Sequence, residues 1–191
     1  MNKKNLLVVT ILLCALVGGY LAWSKIKSGS DAPSLLSLSL DNAFDSLDPA
    51  KAYSDDSLLI SAQVLEPLYQ YHYLKRPYEI QPLVAEALPM IEQKGTVLKI
   101  KIRKKIAFHD HPAFQGKPRY LMAQDFVNQF KRLAMASLKS PGKSLFSGLI
   151  LGFDDYGKKI NEDWKKIKTT SLEGVVAEDD QTLMIRMSRA E

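Results

Sequence analysis

Three short stretches of this chain carry the residue types that chemistry uses. His109-Asp110-His111 sets two imidazoles at i and i+2 around a carboxylate. Two such rings can meet one ion, but a third ligand must come from elsewhere in the fold. His72 is the sole other histidine, and no His-Glu-x-x-His helix is present. The stretch reads as a polar loop, with a metal-dependent hydrolase centred on His109 and His111 as the sharper rival. Glu178-Asp179-Asp180 gathers three carboxylates. It lacks the alternating oxygen ligands and the glycine of a calcium loop, so it reads as a solvated hairpin turn. Tyr69, Tyr71 and Tyr73 alternate and share one strand face. That face could stack a ligand; packing against the rest of the domain is the plainer reading.

Other catalytic signatures are missing from the sequence. There is no Gly-rich phosphate loop and no Gly-x-Ser-x-Gly elbow, and Ser144 and Ser171 have no base near them in sequence. Cys14 is the only cysteine, which excludes a disulfide framework and a thiolate metal site. The pairs Lys104-Lys105, Lys158-Lys159 and Lys165-Lys166 read as solvated faces. These residues imply no enzyme and no cofactor, and leave a binding or scaffolding role.

The elements that must position any site follow from hydrophobic periodicity. Leu36, Leu38 and Leu40 alternate with Ser37 and Ser39, a strand with one buried face. Ser54 or Asp55 caps a helix starting near Asp56, with Leu58, Ala62, Leu65 and Tyr69 as its apolar stripe, and Pro67 ends or kinks it. Leu98, Ile100 and Ile102 alternate with Lys99, Lys101 and Arg103, the clearest strand in the chain. Lysines on its outer face also discourage edge pairing. A loop from His109 to Tyr120 leads into a second amphipathic helix, whose apolar face is Phe126, Val127, Phe130, Leu133, Ala134 and Leu138. Lys131, Arg132 and Lys139 place positive charge toward its C-terminal end, which suits the helix dipole, and Pro141-Gly142 stops it. Residues 152–168 are charged and part helical. Residues 175–177 and 183–187 form a hairpin around Glu178-Asp179-Asp180, with Leu183, Ile185 and Met187 on one face.

The start of the chain addresses a membrane. Lys3 and Lys4 precede an uncharged, mostly apolar run from Leu6 to Trp23. Ala22 and Ser24 have the spacing of a signal-peptidase site, so residues 1–24 read as a cleaved signal. The run is also just long enough to span a bilayer as an uncleaved anchor, with Tyr20 and Trp23 at the interface and Lys25 and Lys27 beyond it. A buried core helix would need cover on every face at an extreme terminus. Lipid attachment at Cys14 is disfavoured by Leu13, where a small residue belongs. Either export reading sends the rest of the chain out of the cytoplasm, to a periplasmic or other extracytoplasmic location, anchored by residues 6–23 if these are retained. The net charge of +5 draws two units from Lys3 and Lys4, and the remainder is spread along the chain, which argues against nucleic acid as a partner.

Six stretches, read in order, resemble one family. Ser46-Leu47-Asp48-Pro49-Ala50 resembles the Ser-Leu-Asp-Pro opening of the solute-binding proteins of peptide, dipeptide and nickel ABC importers. Val64-Leu65-Glu66-Pro67-Leu68 is similar to their Glu-Pro-Leu helix end, and Leu83-Val84-Ala85-Glu86-Ala87 to their Leu-Ala-Glu-Ser segment. Leu98 to Arg103 with Lys104, Phe108, His109 and Asp110 resembles their strand followed by Phe-His-Asp-Gly. Ala123-Gln124-Asp125-Phe126-Val127 with Phe130-Lys131-Arg132-Leu133 resembles their Ala-x-Asp-Phe-Val helix, and Leu172-Glu173-Gly174-Val175 with residues 179–186 their closing hairpin.

The resemblance implies an α/β fold: the N-terminal lobe of a two-lobed periplasmic binding protein, with a mixed sheet, an accessory α+β subdomain and a preceding apolar helix. Residues 25–34 would be a linker, 35–68 and 171–191 main-lobe segments, and 69–170 the accessory subdomain. The implied partners are a peptide and an importer permease, with no cofactor. The backbone just before Ser-Leu-Asp-Pro lines the cleft in such proteins, which places Asn42, Ala43, Phe44 and Asp45 beside the ligand. Main-chain contact of this kind tolerates many side chains. The His-Asp pair is a structural feature of that family's loop, which weakens the metal reading. Relatives continue into a second lobe, so the chain resembles an N-terminal fragment that binds peptide weakly; a membrane-tethered interaction module without transport is the alternative. N-terminal sequencing of exported protein is expected to begin at Lys25; a start at Met1 identifies the anchor.

Overall fold

The computed structural model of this protein describes residues 16–20, 23, 37, 39, 45–160 and 163–190. The chain divides into two compact units, Met1–Leu40 and Asp41–Glu191. In the first, residues 16–20 and 23 are helical and exposed. The rest of the Leu6–Trp23 run, and the leucines of the strand expected near Leu36, lie outside the described residues. No described helix is long and apolar enough to cross a membrane.

The second unit is built on a sheet of β3 (Met90–Glu92), β4 (Val97–Lys101), β5 (Val175–Ala177) and β6 (Thr182–Arg186), in the order β3-β4-β6-β5. β1 (Tyr69–Tyr71) and β2 (Ile80–Pro82) form a separate two-stranded ribbon. Every pairing among the described strands is antiparallel; the leucines of the strand near Leu36, expected to join this sheet, lie outside the described residues. Two of the three contacts in the larger sheet are hairpins with short connections, which only antiparallel neighbours allow. The third, β4 with β6, pairs Leu98 with Ile185 and Ile100 with Leu183. One sheet thus carries strands from both sides of the boundary expected near residue 171.

β4 follows its pattern where Ile100 and Ile102 are buried and Lys101 is exposed. β6 does not alternate. Thr182 and Met184, expected to face out, are buried along with Leu183 and Ile185. Met184 lies between Lys99 and Val176, at the centre of the sheet, where its neighbours shade it.

Helix α1 (Asp55–Val64) precedes the ribbon, and α2 (Ala123–Ala134), α3 (Phe153–Ile160) and α4 (Trp164–Thr169) follow β4. α2 packs on β5 and β6, burying Ala123, Val127 and Ala134. Phe130 meets Phe146 edge-on at 5.1 Å, and Phe146 meets Phe153 at 6.0 Å. Lys131 is buried too, against the expectation that it serves only the dipole of its own helix. Its ammonium donates to the Ile167 carbonyl at 3.0 Å, near the C-terminal end of α4, and burial lowers its pKa. Trp164–Thr169 is thereby clamped to α2 at the helix end where a cation is favoured.

α1 inverts its expected orientation. It begins after the Ser54 cap and ends before Pro67, as the sequence predicts. Of its residues only Ser57 is buried, whereas Leu58, Ala62 and Leu65 of the predicted stripe are exposed. The inward face is serine because the loop before the helix needs hydroxyl partners, as described below.

Gly174 opens the hairpin where another chain segment crosses it. A Cβ there would run into the Leu151 carbonyl oxygen and stand 2.6 Å from Ile150 Cγ2. Gly174→Ala is expected to destabilise the unit by about 1–3 kcal/mol, the usual scale of overpacking, measured as a lowered midpoint in denaturant with an unchanged slope.

Candidate functional site

The stretch from residue 45 to residue 57 builds the site that the sequence singles out. Pro49 fixes one backbone angle, and the side chains around it supply the turn. Ser46 Oγ accepts from the Asp48 amide at 3.1 Å. Asp48 Oδ1 accepts from the Ala50 amide at 3.1 Å, and the Asp48 carbonyl accepts from the Lys51 and Ala52 amides, both at 2.8 Å. Ala50 and Ala52 are buried and seat the turn against the body.

A long-range ion pair then anchors it. Asp48 Oδ2 lies 2.5 Å from Arg132 Nη2 on α2, and Arg132 Nη1 donates to Gln129 Oε1 at 3.1 Å. Both partners are 30 % exposed. An exposed pair contributes up to about 1 kcal/mol. Its greater effect is to fix where the turn sits relative to the helix.

Of the four residues expected to meet a ligand, Asn42, Ala43 and Phe44 lie outside the described residues. Asp45 is described and exposed. Its carboxylate accepts from four donors. Oδ1 takes the Ser54 amide at 3.2 Å, the Ser54 hydroxyl at 2.7 Å and the Ser57 hydroxyl, while Oδ2 takes the Tyr53 amide at 3.1 Å. The Asp45 amide in turn donates to Ser57 Oγ at 3.0 Å, as does the Ser46 amide at 3.3 Å. The Ser57 hydroxyl, then that of Ser54, hold the Asp45 carboxyl well below the usual carboxylate range. Ser57 is fully buried, and Ser54 caps α1.

The other candidates separate. His109, Asp110 and His111 are all exposed. His111 Nδ1 accepts from the Ala113 amide at 3.2 Å, capping the turn at Pro112–Phe114 beside a shallow depression of about 330 Å³. Among the described residues no three His, Cys, Asp or Glu side chains gather as metal ligands. The loop closes through Arg119, which stands 5.2 Å from the Phe108 ring and pairs with Asp125. Asp125 also accepts from the Met122 amide at 2.9 Å and so caps α2.

The tyrosine stripe divides. Tyr69 is half-buried against the core, its hydroxyl donates to the Ala87 carbonyl at 3.3 Å, and burial pushes its phenol up. Tyr71 and Tyr73 are exposed. Packing thus explains the first tyrosine and not the other two. Tyr71 and Tyr78 rings lie 5.6 Å apart, with the Arg76 guanidinium 4.3 Å over Tyr78. The Glu178-Asp179-Asp180 stretch is the expected turn: Asp179 accepts from the Gln181 and Thr182 amides, both at 2.7 Å, and from Thr182 Oγ1 at 2.9 Å. These bonds, led by that from Gln181, lower its pKa.

Sequence reasoning missed Ser54, Ser57 and Arg132 as supports of the loop. The only local signal was the Ser54 cap; the Asp45–Ser57 and Asp48–Arg132 contacts join residues 12 and 84 positions apart.

No protein-family model matches the sequence, and no curated protein does. Solved structures do. The pheromone receptor PrgZ, solved for its mode of peptide binding, is 26% identical, with a TM-score of 0.58 over 77% of this chain and 25% of its own. OppA of Listeria monocytogenes bound to peptide is 24% identical, with a TM-score of 0.57 over 76% of this chain and 25% of its own. The murein tripeptide binding protein MppA of Escherichia coli is 22% identical, with a TM-score of 0.60 over 80% of this chain and 26% of its own. The chain therefore spans about a quarter of the length of the structures it matches. The resemblance to peptide-class solute-binding proteins is borne out at the level of fold.

The acid behaviour of the loop follows from its hydrogen bonds. A carboxyl whose folded pKa lies below its unfolded one stabilises the fold above the unfolded value and loses that contribution as pH falls. Asp45, Asp154 and Asp179 are all shifted in this direction. Stability is expected to decline from about pH 5 toward about pH 2. In denaturant melts across that range, Asp45→Asn should decline less steeply than the wild type.

Proposed function

We propose that this chain supplies part of an extracytoplasmic solute-binding protein that delivers peptides to an ABC importer. The fold shared with structures described as peptide-binding is the observation that carries this reading. On it, residues 1–24 act as signal or anchor, residues 25–34 link, and residues 35–191 form one lobe, with 35–68 and 171–191 as its main segments and 69–170 as the accessory part. The ligand-facing stretch is Asn42, Ala43, Phe44 and Asp45, and recognition runs through the main chain, which does not read side chains. No catalytic step is required of such a protein, and its working partners are the peptide and the importer's permease.

A two-lobed cleft gains affinity by closing on its ligand and excluding water. One lobe offers a single wall and leaves the ligand wet. The alternative, a membrane-tethered interaction module without transport, is favoured by one observation: α1 turns Leu58, Leu59 and Val64 to solvent, all more than half exposed. Apolar side chains left in solvent along one helix can meet another protein surface.

Calorimetry of the chain with a mixed peptide library is expected to show binding weaker than about micromolar. Tight binding by this chain alone would overturn the single-wall reading. A complete lack of response at millimolar peptide (about 4 kcal/mol of binding free energy) would favour the interaction module.

A further inference from the structure

We infer that Asp45 is a positioning residue: it fixes the path of the main chain through residues 45–54, and its carboxylate does not touch the ligand. The inference rests on the peptide-binding reading and sharpens it, because an exposed aspartate beside a peptide site would ordinarily be taken as the partner of a peptide amino terminus.

The geometry argues otherwise. Both carboxylate oxygens are occupied: one by the Ser54 amide and the hydroxyls of Ser54 and Ser57, the other by the Tyr53 amide. Each carboxylate oxygen offers about two lone-pair sites; three donors crowd Oδ1, and the Tyr53 amide takes one of the two on Oδ2. A ligand ammonium could reach Oδ1 only by displacing donors already held at the start of α1, and at Oδ2 it would share the oxygen with the Tyr53 amide. The Asp45 amide is committed to Ser57 Oγ as well. Turning the side chain outward would break its bonds to the Ser54 and Ser57 hydroxyls and leave the fully buried Ser57 hydroxyl with Ser54 Oγ, 2.9 Å away, as its remaining hydroxyl partner. The loop beyond is fixed at its other end, where Asp48 pairs with Arg132 on α2. Asp45 therefore acts through the backbone it holds, and recognition at this position is indifferent to the charge on the ligand's terminus.

The test compares one tripeptide, trialanine, with a free amino terminus and with the terminus acetylated. Both are titrated by NMR against the full chain and its Asp45→Ala, Asp45→Asn and Ser57→Ala variants. The expected result is that Asp45→Ala weakens both peptides by the same factor, about tenfold, the equivalent of one charge-assisted contact. Ser57→Ala should reproduce the loss, and Asp45→Asn, which keeps one acceptor oxygen, should recover part of it. A loss confined to the free-amine peptide overturns the inference, because it shows direct recognition. Unchanged affinity for both overturns it too, because the residue is then merely structural.

If the wild type responds to neither peptide, the peptide-binding reading fails by itself. The positional claim is then read from amide exchange: in Asp45→Ala the Tyr53 and Ser54 amides should lose protection while those of β4 and β6 keep theirs. Unaltered protection at Tyr53 and Ser54 sinks it. Should Asp45→Ala not fold, Asp45→Asn carries the same comparison.

Discussion

β4 and β6 lie side by side over five residue pairs, from Val97 against Arg186 to Lys101 against Thr182. The larger sheet of the Asp41–Glu191 unit and the helices that cover it are arranged on this contact. It closes a loop of some eighty residues, and a closure of that length costs entropy that only extensive burial can offset. The burial is found along the pairing itself: Ile100, Leu183 and Ile185 are in the core, and Ile102 continues it. The enclosed residues then return as α2, α3 and α4, and α2 covers β5 and β6. Backbone bonds from Ile102 to Gln181 and from Ala123 to Asp180, both 2.8 Å, tie the loop's two ends together. Lys131 secures the last helix of the excursion to the first.

The candidate site borrows its rigidity from this body. Residues 45–54 contribute little apolar burial beyond Ala50 and Ala52. What holds them is a chain of polar contacts: Asp45 to Ser54 and Ser57, Ser46 to Asp48, and Asp48 to Arg132. Arg132 belongs to α2, whose position the sheet determines. A loop of this kind can be sharply defined without being greasy, because its amides are bonded to its own side chains and carbonyls and to Ser57. Preorganisation of this sort reduces the entropy lost on binding.

What the sequence made legible was whatever is written locally. The Ile100-Lys101-Ile102 alternation, the α2 stripe from Phe126 to Leu133 and the carboxylate turn before Thr182 all depend on residues a few positions apart, and all formed. The turn at 46–50 formed from residues that the family motif also singles out. The failures share a cause. Periodicity gave α1 a helix but not the face it buries, because Ser57 is drawn inward by Asp45, twelve residues away. β6 alternates in sequence, yet Thr182 and Met184 are buried along with Leu183 and Ile185, Met184 between Lys99 and Val176 of the flanking strands. Tyr69, Tyr71 and Tyr73 have one spacing, but only Tyr69 lies over the core.

The inverted helix also bears on how the site and the rest of a larger assembly would relate. A helix that turns serines inward and leucines outward is not stabilised by burying its apolar stripe within this unit. Ser57, turned inward, serves the loop, and Leu58, Leu59 and Val64 stay exposed. Ser57 in the helix and Ser54 at its cap shape the candidate ligand contact, while Leu58, Leu59 and Val64, spread around the same helix, are exposed. Because these side chains share one helix with Ser57, a contact made on any of them would bear on the position of Ser57 and, through it, of Asp45.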